Sequence, residues 1–164
     1  MAVGVVAGRI KGAQASDGGY LRGDASAIVC EERTFVQTSG NGTYTATVAL
    51  PAGATILDIK VKAGAVWDGT SASLEVGDND DPDGFWTAVN LVATDLLLNE
   101  ELSFSDLGAT EAGAYIAAQV KNTYRAVAKT ITITIVQVGT GTLGRTRVLV
   151  SYIVPNITKQ ATKV

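Results

Sequence analysis

The 164-residue chain contains no histidine and a single cysteine, Cys30. Without histidine it lacks the commonest general base and the commonest neutral metal ligand. Neither a Ser-His-Asp nor a Cys-His constellation can be assembled from it. One thiol also excludes an intramolecular disulfide and any zinc site built on several thiolates. Proline is scarce, and aromatic residues make up only 6%. No apolar run approaches the roughly 18 residues that a membrane span needs, so no membrane partner is expected. The opening MAVGVVAGRIKG has too short an apolar part and no basic lead, so no secretory signal is expected either.

Charge is thin as well. Formal net charge is −3 and the pI is near 4.9. Lysines and arginines are scattered, and their closest groupings, Lys60/Lys62 and Arg145/Arg147, have the spacing of a solvated strand face. Binding along a phosphate backbone requires clustered cations. Nucleic acid is therefore not an expected partner.

What the chain does have is apolar residue, 46% of it, with a mean hydropathy of +0.22. That balance excludes wholesale disorder, and the length fits one domain large enough to bury its own core. Most of the apolar residues recur with a period of two, the signature of a half-buried strand. Tyr44, Ala46, Val48 and Leu50 face one way, and Thr43, Thr45 and Thr47 the other. Leu57, Ile59 and Val61 alternate with Asp58, Lys60 and Lys62. Thr130 to Ile135 alternates without error, but Val136 and Val138 then fall on the opposite parity, which predicts a β-bulge. Val148, Val150, Tyr152 and Val154 share a face in the last strand.

Further strands are predicted over Thr34 to Thr38, Ala72 to Val76 and Tyr115 to Val120. Phe85 to Val92 reads as a strand or a short helix, and Leu96 to Leu102 as a loop or a single helical turn. Gly139 to Gly144 fits GxGxxG, yet it lies between two strands and offers no helix N-terminus to a phosphate. It predicts a hairpin connection. Many short strands with turn signals and little helix point to an all-β fold, an antiparallel, jelly-roll-like β-sandwich.

Residues 1–30 differ from the rest, with Gly4, Gly8, Gly12, Gly18, Gly19 and Gly23 among small residues. Glycine loses the most entropy on ordering. This segment reads as a flexible tail or as an extended arm that orders against a neighbouring subunit, with Ile10, Tyr20, Leu21, Ile28 and Val29 as its anchors. The sandwich would then occupy residues 31–155, and residues 156–164 would form a tail.

Few groups could carry chemistry. The acidic loop containing Asp78, Asp80, Asp81 and Asp83 offers several carboxylates to a hard cation such as calcium. It departs from the EF-hand pattern at Pro82 and lacks the closing glutamate, so a solvent-facing turn is the plainer reading. Glu31/Glu32 and Glu100/Glu101 resemble the acid pairs of glycosidases, but adjacent strand residues point to opposite faces. Cys30 reads as a buried small hydrophobe. Trp67 and Trp86 read as core or interface anchors, or as platforms for sugar rings. No cofactor and no enzymatic activity are expected.

The segment from Val48 to Trp86 adds a resemblance. It runs LPAGA, an alternating strand, Asp68-Gly69, LEVGD, the acidic loop, then DGF. This order resembles small virion structural proteins of tailed bacteriophages, above all capsid decoration (cement) proteins, and it extends loosely to the C-terminal strands. The resemblance implies a non-enzymatic protein, made in the host cytoplasm, on the outside of the virion. Its partner would be the major capsid protein, and it would act as a homo-oligomer, a dimer or trimer. Alternatives are a tail- or fibre-associated adhesin that binds host glycan, and a carbohydrate-binding module.

Overall fold

Alternating apolar and polar residues leave one face of a strand greasy, and two such faces bury each other as a sandwich. A computed structural model, which describes residues 27–92, 95–106, 110–117 and 122–154, has this form. Its strands are β1 (Ala27–Val36), β2 (Gly42–Leu50), β3 (Ala54–Ala65), β4 (Ser71–Gly77), β5 (Trp86–Asn90), β6 (Glu101–Leu102), β7 (Tyr124–Arg125), β8 (Lys129–Val138) and β9 (Arg145–Val154). A single short helix, α1 (Ala114–Ala117), is present among the described residues.

The first sheet has the order β1-β9-β3-β6, with β7 also pairing β3, and the second has the order β2-β8-β4-β5. All pairings are antiparallel. Two four-stranded paths, between which the chain crosses at most of its connections while β4 and β5 stay paired in one sheet, make a jelly roll. The small β7 is an addition at the edge. Val48, Leu50, Ile56, Ile59, Val61, Leu74, Val76, Phe85, Trp86, Ile131, Ile133, Ile135, Val148 and Val150 fill the space between the sheets. The parities predicted for β2 and β9 hold in the structure.

The expected β8–β9 hairpin is not formed. β8 lies in the second sheet and β9 in the first, so residues 139–144 arch across the end of the sandwich. Gln37 and Asp68 hold this arch. The Gly144 amide donates to Gln37 Oε1 at 2.8 Å, and Thr142 and Leu143 amides both donate to Asp68 Oδ1 at 2.8 Å. Those amide bonds, Leu143's first, keep the Asp68 carboxyl below its ordinary range. Gly139 turns the arch with φ 89°, in the left-handed region that favours glycine. A Cβ at Gly144 would run into the Trp67 ring.

The predicted bulge in β8 is also absent, because its register with β2 and β4 is continuous. Gln137 keeps the inward parity and is buried, while Val136 and Val138 face solvent. Tyr44 donates to Gln137 Oε1 at 2.7 Å, and Gln137 Nε2 donates to the Gly139 carbonyl at 3.1 Å. With its amide satisfied, a glutamine is tolerated where the pattern asked for an apolar residue. The irregularities fall elsewhere. Between Ile56 and Asp58 β3 shifts register against β9, which turns Leu57 outward and buries Ile56. Another falls between Ala63 and Ala65, and a third, between Leu74 and Val76, lies opposite a left-handed Ala88, φ 51°.

Two other expectations change. Tyr115 and its neighbours form α1 rather than a strand; Ile116 and Ala117 amides bond back to Gly113, while 118–120 lie outside the described residues. β1 starts at Ala27 and pairs with β9 along its whole length, so Ala27 to Cys30 belong to the sheet. Cys30 is exposed, on the outward parity of β1, and not a core residue. Its sulfur lies 3.4 Å from Ser151 Oγ.

Candidate functional site

Trp67 and Trp86 are 2% and 0% exposed, so neither ring is open to a partner or a sugar. Burial is affordable because each indole N–H has an acceptor, Thr146 Oγ1 for Trp67 and the Ile59 carbonyl for Trp86, both at 2.8 Å. Ile10, Tyr20 and Leu21 lie outside the described residues, as do residues 155–164.

The acidic loop links β4 to β5, and of its carboxylates only Asp81 and Asp83 meet. Asp78 is buried and turned inward, where Oδ2 lies 2.8 Å from Arg125 Nε. Its Oδ1 accepts from the Asp80 and Asp81 amides and from the Tyr115 hydroxyl. The Arg125 guanidinium sits over Tyr115 at 4.7 Å and Phe85 at 5.2 Å. This network ties the loop, α1 and β7 into one end of the sandwich. Asp80 instead pairs outward with Lys129, and Asp83 accepts from Thr87 at 2.8 Å. The Thr87 hydroxyl holds Asp83 below the ordinary carboxyl range, while partial burial and then the bond to Asp83 push Asp81 up. Among the described residues no three acidic, histidine or cysteine side chains gather as cation ligands. The loop is a structural knot.

Tyr115 gives this knot a pH signature. Its hydroxyl is pushed up to about 12, first by burial, then by the hydrogen bond to Asp78 and that carboxylate's charge. A free tyrosine ionises near pH 10. Stabilisation from the neutral phenol is thus complete below about pH 10 and lost as the pH rises towards about 12. The denaturation midpoint should fall across that window, and fall less in Tyr115→Phe. Tyr152, also raised by burial and by its bond to Glu31, and Lys60, raised by its bond to Glu101, contribute to the fall that remains. An identical fall in the variant would rule out this assignment.

Glu31 and Glu32 are split as strand alternation requires, and Glu100 and Glu101 straddle the start of β6. Glu31 accepts from Tyr152 at 3.0 Å and pairs with Arg33, whereas Glu32 points outward to Arg147. Glu101 pairs with Lys60 at 2.8 Å, and Glu100 caps the Leu97 amide. Neither pair presents two carboxylates to one substrate.

The remaining candidates are the two outer faces. On the first sheet, Glu32, Arg147, Lys60, Glu101 and Lys62 form a lattice of charge around Leu149. Arg147 lowers Glu32, and Lys60 lowers Glu101, through direct hydrogen bonds. The second sheet is different. Register places Thr45 beside Thr134 and Glu75, Thr47 beside Thr132, and Thr43 beside Val136 and Ser73. Glu75 is the one charged residue in these rows. A shallow groove of about 320 Å³ continues the surface past Ser71, Ser73, Ala88, Asn90 and Val92. This nearly neutral face can be covered by a protein with little desolvation of charge. Its rows of hydroxyls were visible in the alternation as the polar side of β2 and β8, although not as a site.

No protein-family model matches the chain, and no curated protein matches it in sequence. Among solved structures it is similar to a chain of the cyanophage Pam1 capsid asymmetric unit, at 20% identity and a TM-score of 0.50 over 84% of this chain and 90% of that one. It is also similar to a chain of the acid-stable capsid of Helicobacter pylori bacteriophage KHP30 (15% identity, TM-score 0.46, 76% and 94% covered). A chain of the Ralstonia phage GP4 capsid gives 15% identity and a TM-score of 0.47, with 80% and 84% covered. At the identity of the Pam1 chain, what is shared is the fold.

Proposed function

We propose that this chain is a non-enzymatic virion structural protein that binds the outer surface of a phage capsid and stabilises the shell. The observation that carries the reading is the Pam1 likeness. It spans nearly all of both chains, so the counterpart in that capsid asymmetric unit is a chain of similar size. The absence of histidine and the separate engagement of every acid pair support a structural role. The glycan-binding alternative loses its platforms, since both tryptophans are in the core.

In this reading the partner is the major capsid protein, the protein acts as a dimer or trimer on the capsid exterior, and the nearly neutral face of the second sheet does the docking. Purified protein added to expanded shells that lack it should co-sediment with them and raise their resistance to heat. Binding should weaken only modestly with salt, because few charges are engaged. Thr45→Lys combined with Thr134→Lys should abolish co-sedimentation, while Lys62→Ala on the opposite face leaves it intact. Protein that stays in the supernatant with such shells, yet binds tails or cell-surface glycan, would replace this reading with the adhesin.

A further inference from the structure

The first sheet's outer face is not charged throughout. Where β1 begins and β9 stops, outward positions of four strands form a row, Ile28, Ile153, Thr55 and Tyr124, set by their cross-strand pairs. Ile28 is 70% exposed and Tyr124 59%, and Leu57 joins them at the β3 bulge. Cys30, Ser151 and Asp58 make the next row, where Asp58 accepts from the Phe104 amide at 2.9 Å, and the paired surface charges begin one row further on at Glu32. An apolar row of this kind at the margin of a charged face calls for a cover.

The chain itself supplies a candidate at that corner. Ala27 pairs with Val154, so residues 1–26 lead into the sheet directly beside the row. We propose that residues 3–10, VGVVAGRI, lie across the Ile28–Tyr124 row and cover it in the free protein. The segment carries Val3, Val5, Val6 and Ile10 and only one charge, on Arg9. Gly18, Gly19 and Gly23 between it and β1 allow the reversal of direction that a return over the sheet needs. Residues 11–26 reach ~50 Å when extended, whereas four strands span only ~15 Å. A tethered segment also competes well against a second copy, because its effective concentration is about millimolar.

Cys30 is a built-in reporter, being the chain's only thiol and adjacent to the row. In the full-length protein, its reaction with a soluble aromatic disulfide should be slow and independent of protein concentration. Full-length chain carrying Val5→Asp, Val6→Asp and Ile10→Asp should react about tenfold faster, since its apolar contacts are lost. Ile28→Ser, which alters the sheet side of the same contact, should react faster too, with the thermal midpoint of the sandwich nearly unchanged in the triple variant. Equal rates in all three chains would overturn the proposal. So would protection that grows with protein concentration, which would seat a second copy on the row.

Discussion

Asp78→Ala should destabilise the protein by about 3–5 kcal/mol, the usual cost of stranding one member of a buried ion pair. Arg125 would be left in the sandwich end with its side chain 5% exposed and its carboxylate gone. The Asp80 and Asp81 amides and the Tyr115 hydroxyl would lose an acceptor in the same step. That loss is comparable to the whole stability of many domains, about 5–15 kcal/mol. Urea unfolding followed by tryptophan fluorescence reads it directly, because both indoles are buried. Replacing the pair together, Asp78→Leu with Arg125→Met, should recover much of the loss, since no unpaired charge remains. A cost below about 1 kcal/mol for Asp78→Ala, the range of exposed pairs, would mean that the knot does not hold this end together.

The second large effect lies at the centre of the second sheet. Ile133 is 0% exposed and faces the first sheet, whereas Thr132 beside it faces out. Ile133→Asp therefore buries a carboxylate with no partner, at a cost of several kcal/mol, and should leave the chain largely unfolded. Thr132→Asp should change stability by less than about 0.5 kcal/mol, as exposed substitutions usually do. Circular dichroism and thermal melts of the two variants separate these outcomes. Similar losses at both positions would show that the assignment of inward and outward faces is wrong.

Periodicity carried much of this fold. It placed Val48 and Leu50, Ile131 to Ile135 and Val148 to Tyr152 on buried faces, because side-chain direction in a strand is a local property. It could not say which strands share a sheet. A glycine-rich segment such as 139–144 serves a hairpin or an arch equally well, and the choice rests on contacts from Gln37 and Asp68, far away in sequence. Polar residues on buried parity misled it most. Gln137 continues the inward series after Ile135, and Gln37 follows Phe35 in the same way. Holding strictly to a period of two would have placed both inside and removed the predicted bulge. The site was less legible. Asp78 looks like any turn aspartate until Arg125, 47 positions later, is seen beside it. The two tryptophans were nominated for size alone, and size is also what a core selects.

The pairing of Ala27 with Val154 has a practical side. The described sandwich enters and leaves at one corner, so its first and last strands are neighbours rather than opposite poles. A short linker could close that corner, and new ends could be opened in the 139–144 arch without cutting a hydrogen-bonded ladder. A circularly permuted chain of this kind would carry a fused peptide on the end of the sandwich opposite the present corner. Comparing the two fusions on one particle would show which end of the sandwich points away from the surface it rests on.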